Sequence, residues 1–140
     1  MKYKLLEHTA DIKFQAFGKT LEEAFSNAAI AMFDVIVKTE KIEKNITKKV
    51  ETESGDKESL LYKWLEELLY LLDTEFFMLN SVKTMKIKKE GKKYVLKAEV
   101  TGDTFKDKYE LYGAVKAVTY NEMFVKEEKG KAIVQVVLDI

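Results

Sequence analysis

The chain of 140 residues has the size of one ordinary domain, with 46% hydrophobic residues to fill a core and 34% charged residues that balance to a formal net charge of zero. That composition excludes an intrinsically disordered protein, and no apolar run approaches the ~20 residues that a membrane-spanning helix needs. Cysteine is absent and His8 is the one histidine, so disulfides, thiolate sites and zinc sites of several imidazoles are excluded, and any metal site must be built mainly from oxygen.

In chain order, Met1-Lys2-Tyr3-Lys4-Leu5 lacks a signal-like apolar segment, and the expected address is cytoplasmic. Residues 3–17 read as extended chain with a break near Thr9 and Ala10. His8, Ala10, Ile12, Phe14 and Ala16 alternate with Glu7, Thr9, Asp11, Lys13 and Gln15, the period of a half-buried strand, so Asp11 faces away from the apolar row. Gly18-Lys19 turns the chain. Thr20-Leu21-Glu22-Glu23 is a capping box, followed by Leu21, Ala24, Phe25, Ala28, Met32 and Ile36 at helical spacing; this predicts an amphipathic helix to about Asp34. Residues 43–54 alternate as a strand that is solvated on one face. Ser54-Gly55-Asp56 then caps a second helix to about Glu75. Its broad stripe of Leu60, Leu61, Trp64, Leu65, Leu68, Leu69 and Leu72 makes it the expected central packing element, with Trp64 and Tyr70 in core and rim positions.

The remainder reads as β-structure. Strands over 82–89 and 94–100 flank the turn signal Glu90-Gly91-Lys92, and strands over 115–126 and 132–138 flank Glu128-Lys129-Gly130. Residues 105–111 are a strand or an irregular connection. The expected fold class is α+β, with residues 1–140 as a single domain in which two helices pack on one face of a mostly antiparallel β-sheet.

Glu7-His8-Thr9-Ala10-Asp11-Ile12 near the start and Leu138-Asp139-Ile140 at the end each set an aspartate beside strand-like residues. Should the first and last strands pair, Asp11, Asp139 and a backbone or terminal oxygen of Ile140 form an oxygen-rich site. A hard cation such as Ca²⁺ takes six to eight such oxygens at about 2.3–2.6 Å. Strand ends are commonly solvated and rich in Asp, and nothing local forces residues 11 and 139 together. His8 lies on the apolar side of its strand pattern, where a satisfied, partly buried imidazole is the ordinary reading. There is no Walker loop, no Gly-rich dinucleotide fingerprint and no elbow around any serine, which leaves neither a phosphate cradle nor a triad.

The stretch Lys116-Ala117-Val118-Thr119-Tyr120-Asn121-Glu122 is unusually polar for a strand. Its alternation puts Lys116, Val118, Tyr120 and Glu122 on one side, either as a partner-contact patch or as the solvated face of an edge strand. All 24 basic residues are lysine. Arginine, the usual fork for phosphates and guanine edges, is missing, which argues against strong independent nucleic-acid binding. The lysine-rich stretches 86–93 and 126–131 fall at hairpin turns. There they are expected to solubilise and to protect sheet edges, with weak phosphate contact as the lesser alternative.

Taken together, Glu7-His8-Thr9-Ala10-Asp11-Ile12, Val115-Lys116-Ala117-Val118-Thr119-Tyr120-Asn121-Glu122-Met123 and Val137-Leu138-Asp139-Ile140 resemble the archease family, and Leu61-Tyr62-Lys63-Trp64-Leu65-Glu66-Glu67-Leu68-Leu69-Tyr70 resembles that family's second-helix pattern. The resemblance implies a small cytosolic protein without catalysis of its own. Such a protein activates the tRNA-splicing RNA ligase RtcB by promoting its guanylylation and multiple turnover, and broadens its nucleotide use. It also implies a divalent metal, Ca²⁺ first with Mg²⁺ or Mn²⁺ as alternatives, on Asp11, Asp139 and Ile140, with Glu7, His8, Lys116, Thr119, Tyr120 and Glu122 as supporting or partner-contact residues. Two positions depart from the family pattern: Glu7 where Asp is frequent, and Asn121 where His is frequent after Thr-Tyr. The alternatives from other classes are a chaperone or modulator of RNA-modifying enzymes such as tRNA methyltransferases, served by the polar patch, and a metal-dependent hydrolase using the carboxylates directly.

Overall fold

A computed structural model of the chain describes residues 1–7 and 11–140. Seven strands and two helices follow the order β1 (Tyr3–Leu6), β2 (Ile12–Gly18), α1 (Leu21–Asp34), β3 (Ile46–Ser54), α2 (Lys57–Glu75), β4 (Phe77–Glu90), β5 (Lys93–Thr104), β6 (Ala117–Glu128) and β7 (Lys131–Asp139). The expected α+β class holds. The strands are antiparallel and divide into a four-stranded sheet, β1-β2-β7-β6, and a three-stranded sheet, β3-β5-β4.

Both helices start where their caps dictate. Thr20, in extended conformation, accepts at Oγ1 from the Glu23 N–H at 3.1 Å, while the Glu23 carboxylate reaches back to the Lys19 N–H. Asp56 Oδ1 accepts from both the N–H and the hydroxyl of Ser59 at 2.7 Å. These bonds satisfy N–H groups that the first helical turn leaves without partners. α2 ends at Phe76, whose φ of 55° is the left-handed conformation that terminates a helix.

The helices share one hydrophobic cluster with both sheets. α1 packs on β2 and β7 from one sheet and on β4 from the other, and α2 packs on β6 from one sheet and on β3, β5 and β4 from the other. The central packing role expected of α2 is therefore shared with α1. Ala24, Ala28, Ala29 and Ala31 are all buried around the circumference of α1, and the small side chains let both sheets approach its backbone. The wide leucine stripe of α2 covers one side only; Glu66, Glu67 and Tyr70 remain exposed, so Tyr70 is not a rim-packing residue. Trp64 is fully buried as expected, and its indole N–H donates to the Phe25 carbonyl at 2.9 Å, tying α2 to α1.

β4 starts at Phe77, directly after α2, rather than near residue 82. Phe77, Met78 and Leu79 are all buried, a continuous apolar run that carries no alternation to separate strand from helix. Residues 105–116 form the irregular connection. It is pinned by Phe105 N–H to Phe76 O, by Tyr112 N–H to Ile36 O and by Lys116 N–H to Asp139 O, all at 2.8 Å. At its root the buried Asp103 carboxylate accepts from Tyr109 Oη at 2.6 Å, Lys106 Nζ at 2.9 Å and Asn45 Nδ2 at 3.2 Å.

Candidate functional site

The first and last long strands are neighbours. β2 and β7 pair antiparallel from Gly18↔Ala132 to Ile12↔Leu138, so Asp11, just before β2, and Asp139, the last residue of β7, adjoin the same terminal pair at one end of the sheet. Within the ladder Lys13 pairs with Val137, and Phe14 pairs with Val136 in the core row. β7 also pairs with β6, where Ala117 faces Asp139 and the Lys116 N–H donates to the Asp139 carbonyl at 2.8 Å. That bond and the pair with Ala117 fix the backbone of Asp139 at the sheet's end. Ile140, 41% exposed, follows directly.

The polar stretch of β6 does not alternate. Thr119 pairs with Val137, but the next pair is Phe124 with Gln135, so the intervening residues of β6 loop out as a wide bulge. The bulge overturns the shared face expected for Lys116, Val118, Tyr120 and Glu122. Val118 is buried in the core, whereas Tyr120 and Glu122 are exposed and Lys116 precedes the strand. The bulge is built by specific bonds. Thr119 Oγ1 donates to Val137 O at 2.9 Å, and the Asn121 N–H donates to Thr119 Oγ1 at 3.3 Å. Gln135 Nε2 donates to the Glu122 carbonyl at 2.7 Å, with Gln15 Nε2 donating to Gln135 Oε1 at 2.9 Å behind it. Glu122 sits at a φ of 53°, a left-handed conformation that costs about 1–2 kcal/mol outside glycine. Its carboxylate crosses β7 to Lys13 Nζ at 3.2 Å, which roofs the fully buried Val137. Tyr120 turns the other way and stacks on Tyr62 of α2 with ring centroids 4.2 Å apart and planes 8° from parallel. Burial, then the carboxylates of Asp56 and Glu66, push the Tyr120 phenol above its usual range.

Beside the acidic end lies an open cleft of about 610 Å³, whose walls include Leu5, Ile12, Val35, Tyr112 and Ile140. At its base Tyr3 Oη donates to Asp34 Oδ2 at 2.8 Å, and Asp34 Oδ1 accepts from both the N–H and the hydroxyl of Thr39. Burial, reinforced by the Asp34 carboxylate, raises the Tyr3 phenol to about 12. Neither this cleft nor the Asp34 anchor was visible in the sequence, because both depend on β1 folding over the end of α1.

Of the sequence-predicted residues, Asp11 directly precedes β2, Asp139 closes β7 and Ile140 follows it, all at one end of the four-stranded sheet; Lys116, just before β6, bonds through its N–H to the Asp139 carbonyl, and Thr119 pairs with Val137. Tyr120 and Glu122 occupy the bulge, and the exposed Glu7 follows β1. His8 lies outside the described residues. Among the described residues no three His, Asp or Glu side chains gather into a metal-binding group, so a cation at this end would rely on the two aspartates together with backbone oxygen and water. No helix among the described residues is long and apolar enough to cross a membrane.

Comparisons with known proteins give the family and the fold. The sequence model of the Archease protein family matches residues 3–140. The chain is 43% identical over 140 residues to the protein archease of Methanosarcina mazei, covering 99% of this chain and 96% of the relative. It is 46% identical over 136 residues to that of Pyrococcus furiosus, covering 96% and 95%. The solution structure of Methanobacterium thermoautotrophicum Protein 1598 superposes with a TM-score of 0.86 at 38% identity, covering 99% of both chains. A sequence that carries the Asp11 motif, the β6 motif and the terminal Asp139 in one fold, and that matches along nearly its whole length, belongs to the archease family.

Proposed function

We propose that this protein is a non-catalytic activator of the tRNA-splicing RNA ligase RtcB, promoting its guanylylation and multiple turnover, with its acidic sheet end acting at the ligase. The observation that supports the reading is the β2–β7 register, whose last pair, Ile12 with Leu138, has Asp11 and Asp139 as immediate chain neighbours in an archease-family chain. The donors there are carboxylate and backbone oxygens, a set that suits a hard divalent cation such as Ca²⁺, with Mg²⁺ or Mn²⁺ as alternatives. Asp11 and Asp139 would hold the ion with an oxygen of Ile140. When bound, it would supply a local positive charge and coordination positions open to water or to a group of the ligase. The chain's own contribution is rigid presentation. The Lys116–Asp139 backbone bond and the bulge that roofs Val137 fix the strand that carries Asp139.

An activator works only by binding the productive state of its target more tightly than the resting state. A tenfold population shift needs about 1.4 kcal/mol of such preference. The test is multiple-turnover ligation by the ligase of the same source at limiting enzyme, with wild-type protein and with Asp11→Ala and Asp139→Ala. The expected outcome is stimulation by the wild type and its loss in both variants, together with loss of terbium luminescence as a metal probe, at unchanged circular dichroism. Stimulation by the variants at the wild-type level rejects the role given to the acidic end. No stimulation by the wild type rejects the ligase reading and leaves modulation of RNA-modifying enzymes, for which the exposed β6 bulge is the supporting observation.

A further inference from the structure

β6 leaves its ladder after Thr119 and rejoins it at Phe124, so the bulge does not end the strand. It forfeits ladder bonds and holds Glu122 at a left-handed φ. Bulges re-aim side chains, and the side chain re-aimed here is Tyr120, which lies flat on Tyr62 of α2 with ring centroids 4.2 Å apart. Joining α2 to β6 does not account for this ring. Lys57 and Glu127 already tie the same two elements at 2.8 Å, and a contact with Tyr62 occupies one face of the ring only. Tyr120 remains 54% exposed, with its second face open to solvent.

The surroundings of that face are anionic. The Glu66 carboxylate accepts a hydrogen bond from the Tyr62 hydroxyl and raises that phenol, and Asp56 and Glu66, after burial, raise the phenol of Tyr120. Glu66 stands one helical turn beyond Tyr62, and Tyr70, 61% exposed, stands one turn beyond Glu66, so ring, carboxylate and ring alternate along one stripe of α2. α2 carries five acids against two lysines. The lysines of α2 and β6 are engaged elsewhere: Lys57 with Glu127, Lys63 with the Glu53 carbonyl and Lys126 over the Phe124 ring. Such a face repels phosphates and anionic lipid headgroups. An open tyrosine ring beside carboxylates is complementary to a planar cation, which the ring attracts from above while the carboxylates accept its in-plane N–H groups. A guanidinium does both at once. A lysine ammonium is a compact, strongly hydrated charge with no plane to stack.

We propose that the open face of Tyr120 and the Tyr62–Glu66–Tyr70 stripe form a docking surface for an arginine-bearing segment of another protein. A second copy of this chain cannot supply the guanidinium, because all 24 basic residues are lysine. Charge and ring geometry select this occupant, independently of which enzyme the protein serves.

The test is an NMR titration of the isotope-labelled full-length protein with an unstructured peptide carrying three arginines, compared with the same peptide carrying three lysines or three glutamates in their place. The expected result is saturable shifts at Tyr62, Tyr70 and Tyr120, with upfield displacement of the arginine side-chain protons by the ring current. Affinity for the arginine peptide should exceed that for the lysine peptide by about threefold or more, and the glutamate peptide should not bind. Tyr120→Leu should weaken arginine-peptide binding about two- to fivefold, and Glu66→Gln by a similar factor. Tyr120→Phe keeps the ring and should keep the binding. Glu40→Gln removes an exposed acid in the turn that packs on α1 and β4, away from this face, and should change nothing. Melting temperatures of the variants separate lost binding from lost folding, and Glu66→Gln tests the surface with both rings in place. Absent saturation by the arginine peptide, equal or tighter binding of the lysine peptide, or a loss in Glu40→Gln as large as that in Glu66→Gln overturns the assignment.

Discussion

One chemical change, glycine to alanine, should have opposite consequences at two positions, and the structure gives the size of each. Gly102 lies in β5 between Ile46 of β3 and Leu79 of β4. A Cβ there would sit 1.9 Å from the Met78 carbonyl oxygen and 3.0 Å from Phe77 Cζ. The obstacle is backbone of a paired strand, so β4 must retreat by about 1 Å to restore ordinary contact. Such overpacking costs about 1–3 kcal/mol, and loosening the rows from Phe77 to Leu79 weakens roughly two ladder bonds at about 1 kcal/mol each. Gly102→Ala should therefore lose about 3–5 kcal/mol. At about 4 °C per kcal/mol for a domain of this size, the melting temperature should fall by about 12–20 °C. Gly55, between β3 and the α2 cap, has nothing within 4 Å of the added carbon and no positive φ. There the same change only narrows the unfolded ensemble and should stabilise by about 0.4–1 kcal/mol. Urea unfolding followed by circular dichroism gives both values from the shift in midpoint at constant slope. A Gly102→Ala stability within about 1 kcal/mol of wild type would show that the close approach of β4 to β5 does not exist, and a Gly55→Ala loss as large as that at Gly102 would show that the space around Gly55 is not open.

Two further predictions follow from titrating groups. Lys106 and Tyr109 hold the Asp103 carboxyl at about 2, below its ordinary 3.8, against the opposing effect of burial. The fold favours the ionised form, so this contribution to stability is full above about pH 4 and is lost as the pH falls through about 2. Urea midpoints measured over that window should decline in the wild type and decline less in Asp103→Asn; parallel declines would remove Asp103 from the account. At the other extreme, Tyr3 is raised to about 12 by burial and by its bond to Asp34. Its stabilising contribution is full below pH 10 and lost as the pH rises through 12. Ultraviolet tyrosinate titration should lose its latest-titrating component in Tyr3→Phe, and an unchanged titration would contradict the Tyr3–Asp34 contact.

Local elements were legible because their causes are local. Thr20 and Asp56 cap helices with bonds that reach only three residues along the chain, and Gly91 and Gly130, both at positive φ, mark hairpin turns where the sequence shows Glu90-Gly91-Lys92 and Glu128-Lys129-Gly130. The alternation of Ile12, Phe14 and Ala16 likewise assigns Lys13 and Gln15 to the outer face without knowledge of a partner strand. The enclosure of α1 was not legible. Its alanines look like weak core residues until two sheets close on them, and burial on every side is a property of the assembly rather than of the helix.

The candidate site divides in the same way. Sequence alone limited any metal site to oxygen donors, since the chain has one histidine and no cysteine. Tertiary structure alone decided that β2 and β7, from opposite ends of the chain, pair side by side and bring the segments next to Asp11 and Asp139 to one end of the sheet. Strand order in a sheet is set by long-range pairing, which leaves no trace in either segment by itself. It also decided the β6 bulge, where three bonds from Thr119, Asn121 and Gln135 override the period of two and send Tyr120 and Glu122 in different directions. A periodicity argument assumes an unbroken ladder. Here the partner strand, through Val137 and Gln135, determines where the ladder breaks.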